Sequence, residues 1–184
     1  MITVERTRTI PAHLTRVWDV LADFDHLAEW AANADHTCWL DDARPDGEMI
    51  GRARRVQAGR VVLVETITVW ESPARLAYDL GGLQPVVKSA VNEWRLSVDP
   101  SDPDRTSVTL ATHVDCGTRP PQRLIARIVG RRLAGASDVM LEGLAAHLAT
   151  NLAAHRGPLG GSPPAGSVTF DPAPCDSSTK GEQR

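Results

Sequence analysis

Residues 61–80 read VVLVETITVWESPARLAYDL, and two strands joined by a short turn are the reading that orders the rest of the chain. Within this stretch Val61, Leu63, Ile67 and Val69 share one face while Thr66 and Thr68 lie on the other, the period of two that a half-buried strand requires. The same phase carries Glu65 to the apolar side. Pro73 ends the run, having no N–H to donate to a ladder. Leu76, Tyr78 and Leu80 then alternate with Arg75, Ala77 and Asp79, and Gly81-Gly82 turns the chain again.

Working outward, short strands are expected at 36–40 and 51–57, separated by the Asp46-Gly47 turn, with a tight hairpin at Gly59 leading into the quoted stretch. A further strand spans 86–98. Its apolar phase is Ala90, Trp94, Leu96 and Val98, which brings Asn92 inward and sends Glu93 and Arg95 to solvent. The last strand, 107–114, aligns Val108, Leu110, Thr112 and Val114. Such a series predicts an antiparallel meander. At the N-terminus, residues 3–10 alternate as a strand up to Pro11, and Leu14, Val17, Trp18 and Leu21 follow at helical spacing. A second short helix is expected over 26–31, with Asp25 as its N-cap. Residues 122–155 form one long helix, entered through Pro120 and Pro121, whose missing N–H groups cost nothing in a first turn. Its stripe is Ile125, Val129, Leu133, Ala136, Met140, Leu144 and Leu148. Gly130, Gly135 and Gly143 each cost roughly 1 kcal/mol inside a helix relative to alanine, so a close approach by the sheet edge or by a ligand is expected there.

The fold class is therefore α+β, one long helix beside a curved antiparallel sheet, an arrangement that encloses a cavity suited to a small apolar ligand. At 184 residues the chain makes one domain, able to bury about 70% of its extended surface without a metal or disulfide staple. Residues 1–156 form that domain; after Arg156-Gly157-Pro158 the composition turns to Gly, Pro and Ser, and 157–184 is expected to be a disordered tail. Net charge is −3, with no surface-wide basic patch, which argues against nucleic acid. No leader pattern and no 18-residue apolar window is found, so a cytoplasmic protein without stable membrane insertion is expected. Cys38, Cys116 and Cys175 make no CxxC pair and have no clustered histidines, so they read as free thiols rather than metal ligands. No GxGxxG, Walker or GxSxG sequence occurs, and no cofactor is expected. Oligomeric state is left open.

The order of strand, two short helices, meander and long closing helix resembles the START-like superfamily, which includes polyketide cyclases and Bet v 1-like proteins. The residues that carry the resemblance are Pro11, Val17-Trp18, Asp23, Trp30, Gly51-Arg52, Gly59, Trp70-Glu71-Ser72-Pro73 and Arg75-Leu76, within about residues 3–152. The resemblance implies a helix-grip fold that binds lipids, hormones, polyketides or other apolar molecules and in some members cyclises or dehydrates them.

The inward polar residues are then the candidate site. Glu65 is either a general acid or base with its pKa raised by an apolar surrounding, or the buried partner of Arg52 or Arg54. Tyr78 is the second candidate proton mover; Tyr78 and Asn92 would orient a ligand carbonyl or hydroxyl, or else satisfy core backbone. Trp94 would line the pocket together with Thr112, facing Met140 and Leu144, and Trp39 would be a further wall, although Cys38 and Leu40 compete with it for the buried side. Trp18 and Trp30 read as core or lid anchors, and His36 and His113 as exposed. Arg123, Arg127 and Arg131 line one side of the long helix beside Arg132, a face that is either solvated or attracts an anionic headgroup or a membrane surface. Two functions follow: a binder of a small apolar ligand, or a polyketide cyclase, aromatase or dehydratase using a cavity acid/base. A regulator with a closing loop at Gly82-Leu83-Gln84-Pro85 is a third.

Overall fold

The structure, a computed structural model, describes residues 1–41, 47–117 and 120–155, with side chains for all of these except 120, 121, 123–126 and 152–155. The expected tail at 157–184, Asp46 of the expected turn and the side chain of Ile125 lie outside the described residues. In chain order the elements are β1 (Ile2–Ile10), α1 (Leu14–Ala22), a 3₁₀ helix (Phe24–Glu29), β2 (His36–Trp39), β3 (Ala53–Ala58), β4 (Val61–Glu71), β5 (Arg75–Gly81), β6 (Ser89–Asp99), β7 (Asp102–Asp115) and α2 (Pro120–His155).

β2 to β7 follow one another across a single antiparallel sheet, as the alternation predicts, and β1 joins the far edge beside β7. That closure pairs Ile2 with Val114 and Ile10 with Thr106. In β4, Glu65 and Ile67 are buried as the phase requires, but Val61 is 53% exposed and Val98 of β6 is 47% exposed, both at strand ends. A β-bulge between Ile67 and Val69 shifts the register, so that Trp70 pairs opposite inward-facing Leu76. Trp70 then meets Trp18 of α1 edge-on, with ring centroids 5.3 Å apart. α1 buries Val17, Trp18 and Leu21.

The second helix starts earlier than expected, and Asp23 rather than Asp25 precedes it. Phe24 and Leu27, three residues apart, are both buried, and three residues per turn is the period of a 3₁₀ helix. α2 packs on β1 and β7 and buries Met140, Leu144 and Leu148 of the expected stripe together with Leu141 and Ser137. Two of its glycines mark close approaches. A side chain on Gly130 would touch Val4 at 3.4 Å and Ile2 at 3.7 Å, whereas one on Gly143 would collide with the carbonyl of Trp30; Gly135 has nothing within 4 Å. The sheet edge and the 3₁₀ segment are therefore what these glycines admit. Cys116 is a buried free thiol; Cys38 is disulfide-bonded, which corrects the free-thiol expectation for that residue. No described helix is long and apolar enough to cross a membrane.

Candidate functional site

Register places the candidate residues in two rows on the inner face of the sheet. Tyr78, Asn92 and Thr112 stand opposite one another on β5, β6 and β7. Asn92 donates its amide to the Tyr78 hydroxyl at 3.4 Å, and Trp94 donates its indole N–H to the same oxygen at 3.3 Å. Thr112 donates to the Asn92 amide oxygen at 2.7 Å and lies 3.4 Å from the Ser137 hydroxyl, which donates to the carbonyl of Leu133 at 3.0 Å. The row thus runs from the middle of the sheet into α2. Ser137 was missed by sequence reasoning. Its signal is position, since it falls four residues after Leu133 and three before Met140, a hydroxyl on an otherwise apolar stripe.

The second row is Trp39, Arg54, Glu65 and Leu80, on β2 to β5. Arg54 donates to Glu65 at 2.7 Å, with both side chains at most 5% exposed. It also donates to the Phe24 carbonyl and lies over the Phe24 ring, 3.6 Å from its centroid. Of the two arginines expected to compete for Glu65, Arg54 is the partner. Arg52 instead covers the Trp39 ring at 3.8 Å. This settles the phase of Trp39: it is half-buried on the inner side, 5.6 Å from Phe24. Burial, reinforced by the negative charge of Glu65, pushes the Tyr78 hydroxyl up to about 12. At neutral pH Tyr78 is therefore a proton-bearing phenol and not a base.

Among the described residues, the space between the sheet and α2 is largely filled by side chains. Trp94, Tyr78, Phe24 and Leu144 are among the largest fully buried side chains, and the void that Trp94, Tyr78 and Phe24 leave beside Trp30, Arg54 and Met140 measures about 10 Å³. Such a space holds about one water. The sequence pattern could not show this, because filling depends on rotamers. Within the described residues, Trp30 Nε1 is buried without a hydrogen-bond partner, its ring 6.1 Å from Trp94. Met140 and Leu144 face this region from α2, as expected.

Outside the core, a cleft of about 250 Å³ lies between α1, the 3₁₀ helix and the C-terminal half of α2, bordered by Asp19, Asp23, His26, Glu29 and His147. The pKa of His26 is raised, chiefly by its 2.6 Å hydrogen bond to Asp23. Asp23, Asp25 and His26 bring three ligand-type atoms within 4.8 Å of one another, but the contact between Asp23 and His26 already occupies two of them. His36 is exposed as expected. His113 lies on the outer face, half-buried, 3.0 Å from Thr3 and 3.3 Å from Glu93.

Residues 1–149 match a family model described as polyketide cyclase/dehydrase and lipid transport. Among solved structures, an aromatase/cyclase from Streptomyces sp. R1128 is 22% identical with a TM-score of 0.63, the match covering 85% of this chain and 98% of that one. A START superfamily protein from Mycobacterium smegmatis is 14% identical with a TM-score of 0.61, covering 81% and 98% respectively. A protein from Thermobifida fusca is 23% identical over 79% of this chain and 91% of its own, with a TM-score of 0.61. At these identities the likeness is one of fold, the helix grip of a curved sheet around a closing helix. A comparison with curated proteins gives no match.

Proposed function

Because the chain belongs to the polyketide cyclase/dehydrase and lipid transport family, we propose that residues 1–156 bind a small apolar molecule carrying a hydrogen-bond acceptor between the sheet and α2. The observation that carries this reading is the indole N–H of Trp30, buried without a partner beside an apolar void. A buried donor left unpaired costs about 1–3 kcal/mol, and a ligand carbonyl or hydroxyl would recover it. Ligand pockets span roughly 300–1,000 Å³, so binding requires the filled core to open. Met140 is the adaptable wall, being unbranched and flexible, and Trp30 sits where the 3₁₀ segment ends. The contact surface in this reading is Trp39, Tyr78, Asn92, Trp94, Thr112, Met140 and Leu144, with Glu65 acting through Arg54.

Binding without turnover is favoured over acid–base catalysis because Glu65 is already committed to Arg54 and Tyr78 holds its proton tightly. A cyclase, aromatase or dehydratase is the second reading, supported by that same proton: a buried neutral phenol can donate to a carbonyl on which charge develops. Displacement of a neutral naphthylamine probe from the full chain tests both. Flat aryl ketones should compete, and Trp30→Phe should weaken the ketones about tenfold, the worth of one buried hydrogen bond, while leaving matched hydrocarbons unchanged. Identical affinities in wild type and Trp30→Phe would sink the acceptor reading. Turnover of a ketone that is lost in both Glu65→Gln and Tyr78→Phe would replace the binder by the enzyme.

A further inference from the structure

The arginines of α2 take no part in the site above. Between Asp115 and Asp138 the chain carries Arg119, Arg123, Arg127, Arg131 and Arg132 and no aspartate or glutamate, in a protein whose net charge is −3. Arg127, Arg131 and Arg132 are exposed. Like charges four apart on a helix repel, and a carboxylate at that spacing would ordinarily relieve them. Among the described residues neither Arg127 nor Arg131 has a carboxylate partner.

These side chains border a groove of about 260 Å³ between α2 and β1 whose floor is Ile2, Val4, Gly130 and Ala134. Arg6 of β1 closes the rim, held toward α2 by its 3.0 Å ion pair with Asp138. Ile128, between the arginines, is 52% exposed. A row of unpaired guanidinium groups set against exposed aliphatic carbon is complementary to phosphodiesters lying over acyl chains. Single-stranded nucleic acid would call for aromatic stacking, and no phenylalanine, tyrosine or tryptophan occurs in 116–151.

We propose that this flank of α2 docks on an anionic lipid surface, with Arg127, Arg131 and Arg132 on the headgroup phosphates and Ile128 and the groove floor against the first acyl carbons. Attachment is peripheral, since no described helix can span a bilayer. It stands independently of what the core binds.

Co-sedimentation of the full chain with vesicles of phosphatidylglycerol in phosphatidylcholine, and with phosphatidylcholine alone, is the test. Binding is expected to the anionic vesicles only and to weaken as salt is added. Arg127→Ala with Arg131→Ala should lower the partition coefficient roughly 30-fold. Lysine at both positions should retain most of it, and Arg60→Ala, on the exposed turn between β3 and β4, should change nothing. Equal binding to both vesicle types, an unchanged partition in the double alanine variant, or capture of nucleic acid or an acidic protein where anionic vesicles are ignored would each overturn the proposal.

Discussion

Arg54 and Glu65 illustrate why a buried charge has to be read with its partner. Alone on an apolar strand face, Glu65 looks like a candidate acid or base; beside Arg54, itself bonded to the Phe24 carbonyl, it is half of a desolvated pair. Removing one partner of such a pair costs about 3–5 kcal/mol, because the other charge is left stranded. Urea denaturation of Arg54→Met should show a loss of that order. Adding Glu65→Leu should restore part of it, the shortfall reflecting the Phe24 carbonyl that loses its donor; no recovery would mean the pair contributes more than mutual neutralisation. Tyr78 allows a cleaner test because it is the chain's one tyrosine. Its acid form is favoured by folding, so the stability it contributes is fully present below the unfolded value near 10 and is lost as pH rises toward the folded value of about 12. Phenolate absorbance of the native protein should therefore stay low through pH 10 and rise near 12 or with unfolding. A midpoint near 10 would place the hydroxyl in water.

At the scale of elements, the glycines of α2 separate helix propensity from packing. Gly135 has open space around it, so Gly135→Ala should stabilise the protein by up to about 1 kcal/mol. Gly143→Ala gains the same propensity but drives a methyl group into the Trp30 carbonyl, and backbone must move to admit it. Overpacking of this kind costs about 1–3 kcal/mol, so thermal melts of the two variants should shift in opposite directions. A parallel shift would show that the 3₁₀ segment does not rest on α2. The strands were the legible part of the fold: period-two phases put Glu65, Tyr78, Asn92, Trp94 and Thr112 on the inner face, where the structure has them. Less legible was the position of β1, whose alternation reveals a strand but not that its neighbour is β7, about a hundred residues away in sequence. The 3₁₀ helix was displaced for a similar reason, because a spacing of three over six residues is too short a run to separate it from an α-helix.

For the whole molecule, the sequence pattern predicts a container and the structure shows that container closed. Alternation determines which side chains face inward; how much space they leave depends on rotamers and on the depth at which α2 sits. Ser137 lies in helical phase with Leu133 and Met140, but its reach to Thr112 shows only in the folded chain. Closure around a void of about 10 Å³ means that a ligand must exchange places with side chains of the core, and those nearest Trp30 should respond first. The most direct measurement is a proton–nitrogen correlation spectrum of the full chain titrated with a flat aryl ketone, following the five indole N–H resonances. A large displacement of the Trp30 signal is expected as it gains an acceptor, with Trp94 moving alongside it and the shift abolished in Trp30→Phe. Perturbations confined to the surface groove around Ile2 and Val4, with both indoles unmoved at saturation, would contradict it.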